Sequence, residues 1–179
     1  NVCRMRDTPI ITFINKMDRE TRDPVELLDE VESVLKIECA PVTWPIGMGK
    51  TFRGVYHLLR DEILLFTPGE EKANQDVEII KGIDNPRLAE MFPLEIERVK
   101  MEIELLKGAS HPYDLDAFLA GTRTPVFFGS ALKQFGVEEL IGAIADYAPP
   151  PRPQPSDQGE ISPERKDVTG FIFKVQANM

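Results

Sequence analysis

Apolar and polar positions along this chain fall into blocks with two different periods. Residues 9–14, PIITFI, form a nearly unbroken apolar run rich in β-branched and aromatic side chains. Such a run predicts a strand buried on both faces of a parallel sheet, and the polar Asn15, Lys16 and Asp18 then form a loop at its carboxyl end. Asp23-Pro24-Val25-Glu26 offers an N-cap, a proline at the first helical position and a capping-box glutamate, with Leu28, Val31 and Leu35 continuing at helical spacing. The pattern predicts a helix to about Ile37. Residues 42–46 are a short apolar segment carrying Trp44, and Pro45 places it at a sheet edge or a strand end.

From Gly47 to Thr122 the pattern changes. Residues 55–59 and 63–66 suit a hairpin, residues 77–81 suit a further strand, and residues 94–107 suit a helix with Ile96, Val99, Ile103 and Leu106 on one stripe. Met101 and Leu105 are candidates to widen that stripe, and Gly108 stands where a C-cap belongs. Residues 124–128, TPVFF, form a second buried-strand run that ends in Gly129-Ser130-Ala131-Leu132. Val137, Leu140, Ile141 and Ile144 then mark another helix, so the doubly wound pattern resumes. Six of the fifteen prolines fall between residues 148 and 167, an extended linker by composition. An alternating segment starts at Val168, and no internal repeat is visible.

The expected fold class is α/β: part of a doubly wound sheet, residues 1–47 and 123–148, interrupted by an inserted α+β subdomain, residues 48–122. A linker, 149–167, and the start of a further domain, 168–179, complete the layout. The 179 residues are 42% hydrophobic, enough for a sizeable core. Thirty acidic against 21 basic residues give a net charge of −9, so no overall positive field draws the chain to DNA or to an anionic membrane. Cys3 and Cys39 lack the spacing and neighbours of a zinc site and suit two free thiols in a reducing cytoplasm. Neither a membrane span of about 18 apolar residues nor a signal peptide is expected. The opening at Asn1, without a methionine, looks like that of an excised piece.

The chemistry sits at the two strand ends. If Ile14 and Phe128 lie together at the carboxyl edge of one sheet, where open α/β folds bind ligands, their loops face one ligand. Guanine presents a protonated ring nitrogen beside an exocyclic amine, and the Asp18 carboxylate can accept from both. Its carbonyl oxygen needs a donor, which the Ala131 N–H in a tight turn would supply. Asn15 would pin the loops together and reach the imidazole edge, while the stem of Lys16 covers the base. Adenine would leave these groups mispaired, at a cost of roughly 1–3 kcal/mol each. Taken alone, N-K-x-D is short, and a polar loop after a buried strand reads the same way.

Asn15-Lys16-Met17-Asp18 resembles the N-K-x-D guanine-specificity motif of GTPases, and Ser130-Ala131-Leu132 after a buried strand is similar to their S-A-x motif. The long insertion between them, with Pro45-Ile46-Gly47 and Phe52-Arg53-Gly54-Val55, resembles translational GTPases of the elongation factor G group. RDTPIITFINKMDRE, RDPVELLDEVE, TWPIGMGKTFRGVYHL, KGASHPYD, FLAG, TPVFFGSAL and TGFIFKVQANM together look most like the bacterial release factor 3 family, over nearly the whole chain. Trp44 and Tyr56-His57 favour that family over elongation factor G, and core packing is their expected role. The resemblance implies a P-loop GTPase-type sheet followed by the first strand of a β-barrel. It also implies GTP or GDP as ligand, contacted by Asn15, Lys16, Met17, Asp18, Ser130, Ala131 and Leu132. The parent would bind the ribosome and use GTP to release the class I factors that decode stop codons. An elongation factor G-like translocase and a non-hydrolysing interaction module are the alternatives.

Two similar-looking stretches do not qualify as phosphate motifs. Gly49-Lys50-Thr51 ends like a phosphate loop, but the glycine needed five positions earlier is Trp44. Asp167-Val168-Thr169-Gly170 spells the D-x-x-G switch motif, yet it follows N-K-x-D instead of preceding it. Neither His57 nor His111 follows a D-x-x-G. No catalytic or metal-binding residue is therefore expected here, and the parent's Mg²⁺ ligands would lie outside this chain. The fragment alone should not hydrolyse GTP, because phosphoryl transfer depends on those parts.

Overall fold

A computed structural model describes residues 2–66, 77–157, 159–170 and 172–176. The chain runs α1 (Val2–Met5), β1 (Thr12–Ile14), α2 (Pro24–Leu35), β2 (Glu38–Pro41), β3 (Thr43–Ile46), a 3-10 turn (Gly49–Thr51), β4 (Gly54–His57), β5 (Glu62–Leu65), β6 (Glu78–Lys81), α3 (Pro86–Met91), α4 (Pro93–Ala109), α5 (Leu115–Leu119), β7 (Arg123–Phe128), α6 (Val137–Tyr147), β8 (Gln154–Ser156) and β9 (Gly159–Ile161). It divides into two compact units, Asn1–Ala148 and Pro149–Met179.

The first unit holds a parallel sheet in the order β1-β7-β2 and an antiparallel sheet in the order β3-β4-β5-β6. Burial on both faces is realised in β7, the middle strand, whose residues from Thr124 on are buried. The first run differs from expectation: β1 is a half-buried edge strand only three residues long. Proline explains its late start. Gly129 N–H donates to Ile14 O (3.1 Å), and two steps back along that ladder the partner of Ile10 O is residue 125, a proline with no N–H to give. The Thr124 hydroxyl donates to Ile10 O instead, at 2.7 Å, and Thr12 Oγ1 lies 2.9 Å from Thr124 Oγ1.

One continuous extended stretch feeds both sheets. Residues 38–41 pair in parallel with β7, a strand that the sequence pattern does not announce, and residues 43–46 pair antiparallel with β4. The change occurs at Val42, whose N–H goes to Val126 O (2.9 Å) while its carbonyl accepts from Leu58 N (2.9 Å). Residues 43–46, expected in the doubly wound part, instead form the edge of the second sheet, as Pro45 requires. Trp44 packs edge-to-face on Phe128 at 5.3 Å and donates through Nε1 to Glu102 of α4 (2.7 Å). Glu102 also accepts from Arg98 Nε (2.6 Å), and Arg98 lies 3.5 Å from Asp23, the N-cap of α2. Tyr56 and His57 are buried as packing residues.

Helix α2 begins as expected, with the Asp23 carboxylate accepting from Val25 N (2.9 Å), and ends at left-handed Lys36. The α4 stripe of Ile96, Val99, Ile103 and Leu106 is buried, whereas Met101 and Leu105 are exposed and do not widen it. Gly108 lies inside α4, and Ser110 caps it. In α6 it is Ala143 that is buried, while Ile141 and Ile144 are largely exposed. Helices α3 and α5 are additions to the expected layout, and Asn85 and Asp114 cap them through hydrogen bonds from Arg87 N (3.1 Å) and Ala117 N (2.7 Å).

The second unit is not wholly extended, since β8 and β9 form a small antiparallel hairpin. The strand expected from Val168 on is not formed among the described residues: Val168, Ile172, Phe173 and Val175 are 84–101% exposed, with no partner strand there to receive them. Phe171 lies outside the described residues.

Candidate functional site

The parallel register pairs Ile14 directly with Phe128, so both loops leave the same carboxyl edge. The ladder continues past the strands, with Met17 N–H donating to Gly129 O at 3.0 Å. A side chain at Gly129 would overlap the Phe135 carbonyl oxygen and the Phe13 ring, so glycine permits this close approach. Lys16 adopts a left-handed φ of 69°, and its carbonyl accepts from Arg19 N (3.0 Å), which turns the chain sharply after the strand.

Asn15 ties the two loops together. The same side-chain atom accepts from Lys16 N (2.8 Å) and from Ala131 N (2.9 Å). An atom that receives two backbone N–H groups is the amide oxygen, and the NH₂ has no acceptor among the described residues. The pinning role expected of Asn15 is present, and it changes the role expected of Ala131. The Ala131 N–H assigned to the guanine carbonyl is engaged by Asn15, and Leu132 N–H, one residue on, donates to no group among the described residues. Asp18 is half-buried, and nothing among the described residues donates to its carboxylate, so both oxygens are open. Lys16, Ala131 and Leu132 are exposed. Met17 reaches the site only through its backbone, since its side chain is fully buried in the core.

Ser130 is buried and its Oγ has no partner among the described residues. Its backbone makes a two-bond bridge to Phe135, N–H to carbonyl at 2.9 Å in each direction, which closes the loop 130–135. Two contributors escape the sequence reading. Gly49, in the stretch that does not qualify as a phosphate loop, donates its N–H to Met17 O at 2.9 Å, and it begins a three-residue 3-10 turn with no helix to aim at a phosphate. Phe135 precedes Gly136, whose φ of 71° starts α6, and that Phe-Gly pair is the available signal.

This edge suits the purine half of a guanine nucleotide: two adjacent acceptors on Asp18, a side-chain amide at Asn15 and an open backbone N–H in the second loop. Among the described residues, no group of three or more His, Cys, Asp or Glu is placed to hold a metal ion. No helix there is long and apolar enough to cross a membrane.

Peptide chain release factor 3 of Aromatoleum aromaticum is 58% identical over 99% of this chain, which spans 33% of that protein's length. A solved crystal structure of a Thermus thermophilus protein has a similar fold, with a TM-score of 0.54 at 18% identity, over 83% of this chain and 23% of that one. The family model of the elongation factor Tu GTP binding domain matches residues 1–150. The chain, whose two loops leave one sheet edge, belongs to the family of elongation factor Tu type GTP-binding domains.

Proposed function

We propose that this chain is the guanine-reading part of a translational GTPase of the release factor 3 type. The parent would act in the cytoplasm on the ribosome, using GTP to recycle class I release factors at termination. The observation that carries the reading is the Ile14–Phe128 pairing, which sets the Asp18 carboxylate and the Ser130-Ala131-Leu132 turn on one edge with Asn15 joining them. In this reading Asp18 accepts from the guanine ring N–H and amine, and the Asn15 amide reaches the imidazole edge. The Lys16 stem covers the base face, Met17 and Ser130 fix the loops from behind, and the turn that Asn15 holds through Ala131 presents the Leu132 N–H to the carbonyl. Residues 48–122 form the inserted subdomain, 1–47 and 123–148 the GTPase portion, 149–167 a linker, and 168–179 the start of a barrel.

Phosphate and Mg²⁺ are left to residues outside this sequence, so the chain alone is inactive in hydrolysis while the parent is a GTPase. A competition assay on the full-length protein carrying this sequence tests the assignment. Labelled GDP should be displaced by unlabelled GDP and GTP and not by ADP at about a hundredfold excess, given the cost of mispairing two buried polar groups. Equal displacement by ADP would overturn it.

A further inference from the structure

The two base-facing loops are held by the parallel sheet behind them and also by the antiparallel segment. Phe135, at the end of the second loop, stacks on Phe66 with ring centres 4.2 Å apart and planes 3° from parallel. Phe52 closes the cluster, 5.9 Å from Phe66 and 6.1 Å from Phe135. Phe52 precedes β4 and Phe66 follows β5, so both are buried at the open end of that strand pair, and Phe66 N–H donates to Arg53 O (2.8 Å), which fixes this wall by the second sheet. On the other loop, Gly49 N–H holds Met17 O at 2.9 Å, and a side chain at Gly49 would crowd Glu20 at 3.1 Å.

We propose that the antiparallel segment braces the guanine site, with Phe66 as a positioning residue that acts through Phe135 on the Ser130-Ala131-Leu132 turn and sets how long the base stays bound. The path is short and continuous. The Phe66 ring fixes the Phe135 ring, and the Phe135 backbone is bonded twice to Ser130. Ser130 adjoins Ala131, whose N–H goes to Asn15. Residues 131–134 are otherwise an exposed turn, so their geometry depends on what holds its two ends. Parallel stacking fixes distance and orientation more tightly than a general apolar contact does. A partner that shifts β4 or β5 would loosen the base without touching it. The inference rests on the guanine reading of Asp18 and extends it to the control of affinity.

The test uses the full-length protein carrying this sequence, with Phe66→Ala, Phe66→Leu and, as a control, Ile103→Ala, a residue equally buried but in α4 and not in the aromatic stack. Hydrogen exchange of peptides covering residues 130–135 and the dissociation rate of fluorescent GDP are read at a temperature where all variants are folded. Phe66→Ala should speed both by roughly tenfold, the consequence of losing one aromatic pair and its burial, with Phe66→Leu between it and the parent. Ile103→Ala should leave both near the parental rates. The preference for GDP over xanthosine diphosphate should hold throughout, because Asp18 is intact. Equal acceleration by Ile103→Ala, or none by Phe66→Ala, overturns the brace. If the parent itself shows no guanine preference, the base reading fails instead, and exchange at residues 130–135 still decides the brace.

Discussion

Thr124→Val should destabilise the protein through a carbonyl at the other end of β1. The Thr124 hydroxyl donates to Ile10 O at 2.7 Å and stands in for the N–H that Pro125 cannot provide. Valine keeps the shape and removes the donor. Ile10 is only half-buried, so water recovers part of the loss, and the expected cost is about 1–2 kcal/mol. For a unit of this size that lowers the melting temperature by roughly 2–8 °C. Pro125→Ala alone should also destabilise, because it opens a small cavity and frees the unfolded chain. In the Thr124→Val background, however, alanine returns an N–H to the ladder facing Ile10 O. The double variant should therefore be more stable than the two single losses predict by about 0.5–1.5 kcal/mol, and the cavity cost cancels because it enters both arms of the cycle. Urea titrations of the four proteins at equal slope provide the measurement. Additivity within about 0.3 kcal/mol would refute the account of why β1 starts late.

The isolated chain should bind GDP weakly or not at all, since base contacts alone must offset the entropy of association; micromolar affinity by calorimetry would contradict this. Burial, and secondarily the Arg60 charge, lower the His57 pKa to about 4 from 6.5, so the imidazole is neutral in the fold and the unfolded chain takes up its proton first. Stability from this group is complete above about pH 6.5 and is lost as pH falls toward 4, by up to about 3 kcal/mol, and His57→Phe should flatten that slope in acid titrations of stability. Trypsin should cut first at Lys166 or Lys174, beside the exposed Val168, Ile172, Phe173 and Val175, and resistance of this segment in a dilute monomer would count against its lack of anchoring.

The features that place the site are legible in the sequence because they are local. Apolar runs ending in Asn15-Lys16-Met17-Asp18 and Ser130-Ala131-Leu132 mark two strand ends, and their pairing follows from the parallel sheet such runs require. What is not legible depends on partners distant in sequence. Nothing in Glu38-Cys39-Ala40-Pro41 alternates or repeats, so β2 appears only once β7 offers it a register. The turn at Val42 depends on Val126 and Leu58 together, and the short β1 depends on a proline more than a hundred residues away. Ile141 and Ile144 share a periodic stripe whose burial needs a neighbour, and periodicity alone does not say whether one is present. The bond from the Ala131 N–H to Asn15 is hidden for a related reason, since it joins loops more than a hundred residues apart.

The central claim is that Asp18 reads guanine, and Asp18→Asn in the full-length protein carrying this sequence tests it most directly. Asparagine presents one acceptor and one amine where aspartate presents two acceptors, and xanthine replaces the exocyclic amine of guanine with a carbonyl that takes the new donor. The carboxylate lies on a loop with no protein donor among the described residues, so the nearly isosteric change should leave the fold intact. GDP and xanthosine diphosphate affinities of parent and variant, measured side by side, should show the variant losing GDP by about 2–4 kcal/mol and gaining xanthosine diphosphate. A variant that keeps GDP within a few-fold of the parent would show that Asp18 does not read the base.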